Sequence, residues 1–372
     1  DARAQALKQA SHARIHHELF DASFREDAAL IRRTGEVLEM VVLDLLLERE
    51  TDETAKLETL RSCAADAFRL FRVLPQGDDA LEASMFKLRS SALAVLGDMG
   101  SDAARLLRKS QWPELPLNSE DWSKRTWATI VDIWLRLIRK QGWTDRDLVI
   151  ERIAALRDSQ SQFEKDYLEG QQPVYAKSSA LELIGLYHLA KAAEVFAHYM
   201  TDGVVDGRNY QIHQLLETHF DRVLAVCQHA KMLELEPLTR LLAACSSQMA
   251  ENSIWTVTRA VNSRVTQFVR SLVDRGRGDR AIFDVLPPQR RTLAEKGLLG
   301  SSRRAVVVSL PTSSGKTLIA QFRILQALNQ FEHERGWIAY LAPTRTLVNQ
   351  IARRLRRDFA PLNIVVEQVS PA

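Results

Sequence analysis

Two kinds of periodicity meet in this chain, and their meeting point limits its folds more than any other feature. Up to about residue 270 apolar side chains recur at intervals of three and four. Leu30, Thr34, Val37, Leu38, Val41, Val42 and Leu45 form one such set, and Trp127, Ile130, Val131, Trp134, Leu137 and Ile138 form another. That spacing predicts amphipathic helices. "DRGRGDR" (274–280) has glycine and charge but no apolar face, so it reads as a linker. Beyond it the period changes. "AVVVSL" (305–310), "WIAYLA" (337–342) and "NIVVEQV" (363–369) are short runs rich in Val and Ile, separated by helical patterns. Strands alternating with helices predict a parallel sheet with crossover helices. The expected fold class is an all-α N-terminal region followed by a partial α/β domain.

Within the helical part, breaks fall at "SQWPELPLNSEDW" (110–122), "EGQQPV" (169–174) and "TDGVVDGRN" (201–209), and Gly97 to Ser101 reads as a turn between two helices. This gives one helical region over 1–110, a second over 111–273, the linker, and the α/β part over 281–372. No fixed repeat period emerges, so a helical solenoid is neither required nor excluded. The longest apolar stretch, Val37 to Leu47, is interrupted by Glu39 and Asp44, so no membrane span is expected. Cys63, Cys227 and Cys245 lie far apart without paired or metal-ligand spacing, which points to a reducing compartment, the cytoplasm. The chain starts at Asp1 and reads as a piece of a longer protein. Residues 301–372 carry 10 Lys or Arg against 4 Asp or Glu, and such a positive segment suits a polyanion.

"VVVSLPTSSGKTLIAQ" (306–321) is where chemistry concentrates. A β-branched run, a small-residue loop, Gly315-Lys316-Thr317 and an apolar helical pattern follow in order. A phosphate cradle needs this context, because backbone N–H groups and a helix N-terminus then converge on one anion. The wrap around the phosphates falls to Thr312, Ser313, Ser314 and Gly315. Lys316 reaches the β and γ phosphates, and the Thr317 hydroxyl binds Mg²⁺. Lys316 and Thr317 are the candidate catalytic residues, with ATP and Mg as cofactors. Leu310 stands where the general pattern wants Gly or Ala.

"LPTSSGKT" followed by "LAPTRTLVNQ" resembles the phosphate loop and motif Ia of superfamily 2 helicases, and its Pro-Thr-Ser-Ser-Gly-Lys-Thr form looks most like the Ski2-like branch. "VLPPQRRTLAEKGLL" is similar to the glutamine motif of that superfamily, with Gln289 27 residues before Lys316. A long helical front before such a motor is similar in plan to bacterial anti-phage helicases of the Hachiman type. The resemblance covers residues 281–372 and implies the first of two RecA-like domains. It implies that Gln289 reads adenine and that Pro343, Thr344 and Arg345 hold a nucleic-acid backbone, DNA ahead of RNA. A protein partner is expected on the helical region.

Each assignment has a plainer alternative. Gln289 can cap a helix entered through Pro287 and Pro288, Thr344 can cap the next one, and Arg353, Arg354, Arg356 and Arg357, which could extend a phosphate track, can be a solvated face around Leu355 paired with Asp358. Family members also use an Asp-Glu motif and an arginine from a second domain for hydrolysis. Neither motif occurs after Thr317, so residues 1–372 alone are not expected to turn over ATP. A second reading is a nucleotide-sensing helical scaffold that moves no nucleic acid. His12, His16 and His17 lack a third ligand for a metal. Trp127 and Trp134 share a helical face and read as core.

Overall fold

In the computed structural model, the Leu30–Leu45 pattern lies in one helix and the Trp127–Ile138 pattern in another. The structure describes residues 2–20, 27–48, 53–75, 77–163, 173–205, 211–258, 262–275, 281–295, 297–299, 306–311, 314–332 and 336–369. Most of the linker at 274–280, much of the breaks at 169–174 and 201–209, and both Thr312 and Ser313 lie outside the described residues. The chain divides into two compact units, Asp1–Ala250 and Glu251–Ala372.

The first unit contains α1 (Ala2–Ile15), α2 (Ala28–Leu47), α3 (Glu53–Phe71), α4 (Ala80–Leu96), α5 (Gly100–Lys109), α6 (Trp122–Arg139), α7 (Gly142–Phe163), α8 (Pro173–Asp202) and α9 (Ile212–Ala230). It also holds most of α10 (Leu235–Asn252). Side chains satisfy several helix starts, since the first N–H groups have no intrahelical partner. Asp27 accepts from the Leu30 N–H at 3.0 Å, Asp79 from Leu81 and Glu82 at 2.8 and 3.0 Å, and Asp121 from Lys124 at 3.1 Å. The turn after α4 depends on Gly97: a Cβ there would sit 2.5 Å from the Ala65 backbone nitrogen of α3. Trp134, Phe196, Tyr199 and Phe220 are buried in this unit, and all three cysteines are buried thiols. Burial pushes Cys245 up to about 12 and Cys227 up to about 11, which keeps both as inert packing groups.

The segment between α5 and α6 has no regular structure, yet it is anchored. The Trp112 ring lies under two guanidiniums, with the Arg136 and Arg139 Cζ atoms 4.6 and 3.9 Å from its centroid. Its Nε1 donates to buried Asp132 at 2.8 Å. Asp132 also accepts from Arg136 Nε at 2.8 Å. Asp145, equally buried, accepts from Arg136, Arg139 and the Gln141 N–H.

The second unit contains α11 (Ile254–Val257), α12 (Ser263–Val273), α13 (Pro287–Arg290), α14 (Lys316–Gln330) and α15 (Arg345–Phe359). Its centre is an edge-on aromatic cluster. Phe268 of α12 meets Phe322 of α14 at 5.5 Å and Phe359 of α15 at 5.6 Å, all three buried.

The expected parallel sheet and RecA-like α/β fold are not found. Among the described residues β-pairing is confined to isolated bridges, Ser253 opposite Asp284 among them. Residues 306–310, 337–342 and 363–368 form no strand. Parallel sheets are covered on both faces. Here Val307 is 95%, Leu341 91% and Val365 82% exposed, so the second face that a strand in such a sheet would bury is open to solvent. Residues 363–369 keep a strand's alternation, with Ile364, Val366 and Gln368 half-buried between exposed neighbours. The carbonyl of Val366 accepts from Arg356 Nε at 3.0 Å rather than from a neighbouring strand. Val and Ile runs report a backbone suited to a sheet, whereas a ladder also needs distant partners. No helix among the described residues is long and apolar enough to cross a membrane.

Two stability predictions follow from the first unit. Asp145→Ala removes a buried carboxylate shared by Arg136, Arg139 and the Gln141 N–H and should cost about 3–5 kcal/mol in urea unfolding, against about 0.5 kcal/mol or less for exposed Asp147→Ala. Equal effects would remove the network from the account. The second concerns His188 of α8 and His219 of α9, whose Nδ1 atoms are 3.2 Å apart. Burial, then His188, Arg222 and Lys191, push His219 from 6.5 down to about 4. The unfolded chain therefore binds this proton more tightly than the folded one, so stability rises with pH across that window. The melting temperature should fall from pH 7 to pH 5, and His219→Gln should flatten that dependence. An unchanged slope in the variant would place the acid sensitivity elsewhere.

Candidate functional site

The sequence-predicted site residues fall at two helix starts in the second unit. Gly315 is the N-cap of α14, with φ 73° and ψ 36°. This left-handed geometry suits a residue without a side chain. It turns the chain so that Lys316 and Thr317 become the first helical residues, at the positive end of the helix dipole. Lys316 is exposed and Thr317 half-buried. Ser314 is buried, and its hydroxyl donates to the Pro311 carbonyl at 2.7 Å, closing the loop on itself.

Gln289 is brought to the same place from 25 residues upstream. Pro287 and Pro288 open α13 after an extended Leu286. This sets the Gln289 carboxamide against the loop, where it is 5% exposed. Its Oε1 accepts from the Leu286 N–H at 2.9 Å. Its Nε2 donates to the Ser314 carbonyl at 3.1 Å and to the Gly315 carbonyl at 3.4 Å. The residue thus caps its own helix, the plainer of the two expected roles, and its carboxamide also bonds the loop before Lys316. A Cβ on Gly315 would stand 2.2 Å from Gln289 Nε2. The positive φ disfavours any other residue at this position, and the carboxamide end would have to move aside for a Cβ.

These groups fit a nucleoside triphosphate with Mg²⁺. The α14 start offers amide donors and a cationic side chain to phosphates, and Thr317 offers a hydroxyl to the ion. Magnesium bound through substrate phosphates and water needs no cage of side chains. No group of three His, Cys, Asp or Glu able to hold a metal occurs among the described residues.

Pro343, Thr344 and Arg345 stand together at the other helix start, all exposed. Thr344 is the N-cap of α15, its Oγ1 accepting from the Leu347 N–H at 3.3 Å. That bond uses an oxygen lone pair and leaves the hydroxyl hydrogen to donate outward. Among the described residues no hydrogen bond or ion pair joins these three to Gln289, Ser314 or Gly315.

Sequence reasoning missed what fixes the two helix starts relative to each other. Asp358 of α15 is 3% exposed and accepts from Gln321 Nε2 of α14 at 2.8 Å. Arg275, just past α12, donates to the same carboxylate. The available signal was Gln321 itself, a carboxamide within an apolar stripe of Leu318, Phe322 and Leu325.

The Gly315 geometry can be tested by a double-mutant cycle. Gly315→Ala should cost about 1–2 kcal/mol for the left-handed backbone plus a clash with Gln289. In a Gln289→Ala background only the backbone part should remain. Identical costs in the two backgrounds would show that Gln289 does not lie against the loop.

Residues 287–371 match the family model of the DEAD/DEAH box helicase, a span that takes in both helix starts and supports a helicase-like, ATP-dependent function on nucleic acid.

Proposed function

We propose that this chain is part of an ATP-dependent nucleic-acid helicase or translocase, binding ATP-Mg at the α14 start and a nucleic-acid backbone at the α15 start. The observation that carries the reading is the left-handed Gly315 at the head of α14, with Gln289 bonded to the loop before it. In this reading Ser314 and Gly315, with Thr312 and Ser313, surround the phosphates. Lys316 neutralises their charge, and Thr317 holds the Mg²⁺. Gln289 exchanges a loop carbonyl for the adenine edge when the nucleotide enters. Pro343, Thr344 and Arg345 hold phosphodiester groups, DNA ahead of RNA. The Pro-Thr-Ser-Ser-Gly-Lys-Thr sequence favours the Ski2-like branch, and the long helical unit in front is the surface for a protein partner, in the plan of an anti-phage helicase.

The size of that helical unit, Asp1–Ala250, also favours a second reading, a helical scaffold that senses nucleotide without moving nucleic acid. One titration separates the two. Fluorescent ATP is titrated with Mg²⁺ into the chain, with and without a single-stranded oligonucleotide. Lys316→Ala should weaken ATP binding about 10- to 100-fold, the value of a charge-assisted hydrogen bond. The motor reading expects the oligonucleotide to change ATP affinity, and ATP to change oligonucleotide affinity by the same factor. ATP binding with no such coupling selects the scaffold, and absence of ATP binding sinks both.

A further inference from the structure

One face of α15 is charged beyond what the fold uses. Thr346, Asn349, Gln350, Arg353, Arg354 and Arg357 line an open groove of about 790 Å³ along it. They recur at three and four, so they form one stripe that begins beside Arg345 and runs about 17 Å down the helix. Structural roles account for part of the charge. Arg354 and Arg357 lie 3.6 and 3.0 Å from Asp358, and Arg356 donates to the Val366 carbonyl. Asn349 accepts from Gln368 at 2.5 Å.

Arg353 has no such role among the described residues, and its neighbours are unfavourable. Arg356 and Arg357 stand three and four positions ahead of it, the spacings at which like charges destabilise a helix. Asp358 offers no relief, because its carboxylate already faces Arg275, Arg354, Arg357 and Gln321. Helix stability therefore does not explain Arg353. A row of guanidiniums, carboxamides and a hydroxyl, with the Asp358 carboxylate buried and neutralised, is suited to phosphodiester oxygens.

We infer that the Thr346–Arg357 face of α15 is a phosphodiester-binding track that extends the contact at Thr344 and Arg345 by two further helical turns. The inference rests on the nucleic-acid reading proposed above. The guanidiniums of the track neutralise backbone phosphates, so its grip weakens with salt as counterions are released.

The test is the binding of fluorescein-labelled oligodeoxythymidine and oligouridine to the chain across a salt series. Each lost phosphate contact should flatten the log–log slope by about 0.7 for a single strand. Arg353→Gln should therefore flatten it by about 0.7, and the Arg353→Gln/Arg354→Gln/Arg357→Gln triple variant by about 2, for both oligonucleotides. Arg353→Gln should also leave the urea midpoint unchanged or raised, which a structural role would not allow. This single variant keeps the test decisive if the triple variant folds poorly. A parental slope in Arg353→Gln, with Thr344→Ala and Arg345→Ala still weakening binding, overturns the track and leaves the proposed function standing. No binding by the parent chain at low salt overturns both.

Discussion

The two candidate sites share one buried carboxylate. Asp358 closes α15, reaches Gln321 on α14 and takes a guanidinium from Arg275 beyond α12. A carboxylate withdrawn from water costs several kcal/mol unless its oxygens are fully paired, and here one carboxamide and three arginines surround them. The Phe268, Phe322 and Phe359 cluster packs between the same three helices. Apolar packing alone tolerates sliding of one helix along another. A directional bond to a buried carboxylate resists it, because each step away leaves Asp358 short of a partner. Since α14 begins at Lys316 and α15 at Arg345, the clamp that registers the helices also registers the two candidate sites.

The first unit uses buried charge for a different purpose. Around Trp112, paired aspartates and arginines fasten a segment that forms no helix or strand of its own. The planar guanidiniums of Arg136 and Arg139 stack on the indole and still keep N–H groups for Asp132 and Asp145. Lysine could supply the charge but not the stacking and the fork of donors together. In the first unit the network fixes a loop to a helix, while in the second it fixes helix to helix.

What the sequence disclosed follows from the range of the forces involved. The helices over Leu30–Leu45 and Trp127–Ile138 are written in local spacing, and the turn at Gly97 is marked by a residue whose neighbour in space, Ala65, leaves no room for a side chain. The start of α14 was legible for the same reason: Gly-Lys-Thr is a local instruction. The strands were misread because a ladder is a contract between distant segments, and Val-Ile runs state only one side of it. Gln289 stood out after two prolines as a candidate, but its bonds to Ser314 and Gly315 span 25 and 26 residues and leave no local trace. Asp358 looked like one acid beside an arginine run. Its burial, and its pairing with Gln321 and Arg275, belong to the tertiary fold.

Counting the hydrogen bonds of Gln289 constrains how such a site can respond to a ligand. A carboxamide has two N–H donors and one oxygen with two lone pairs. Both donors point at loop carbonyls and one lone pair is occupied by Leu286. A ligand edge that needs a donor and an acceptor together can be met only if a loop carbonyl gives up its bond. Ser314 is buried, so its carbonyl cannot simply be left unpaired. The loop must shift as the carboxamide turns, either toward water or toward new donors. Because one bond is exchanged for another of similar worth, about 1 kcal/mol net, the exchange is nearly balanced. The orientation of the Gln289 carboxamide and the shape of the loop before Lys316 are then coupled through the same pair of N–H groups.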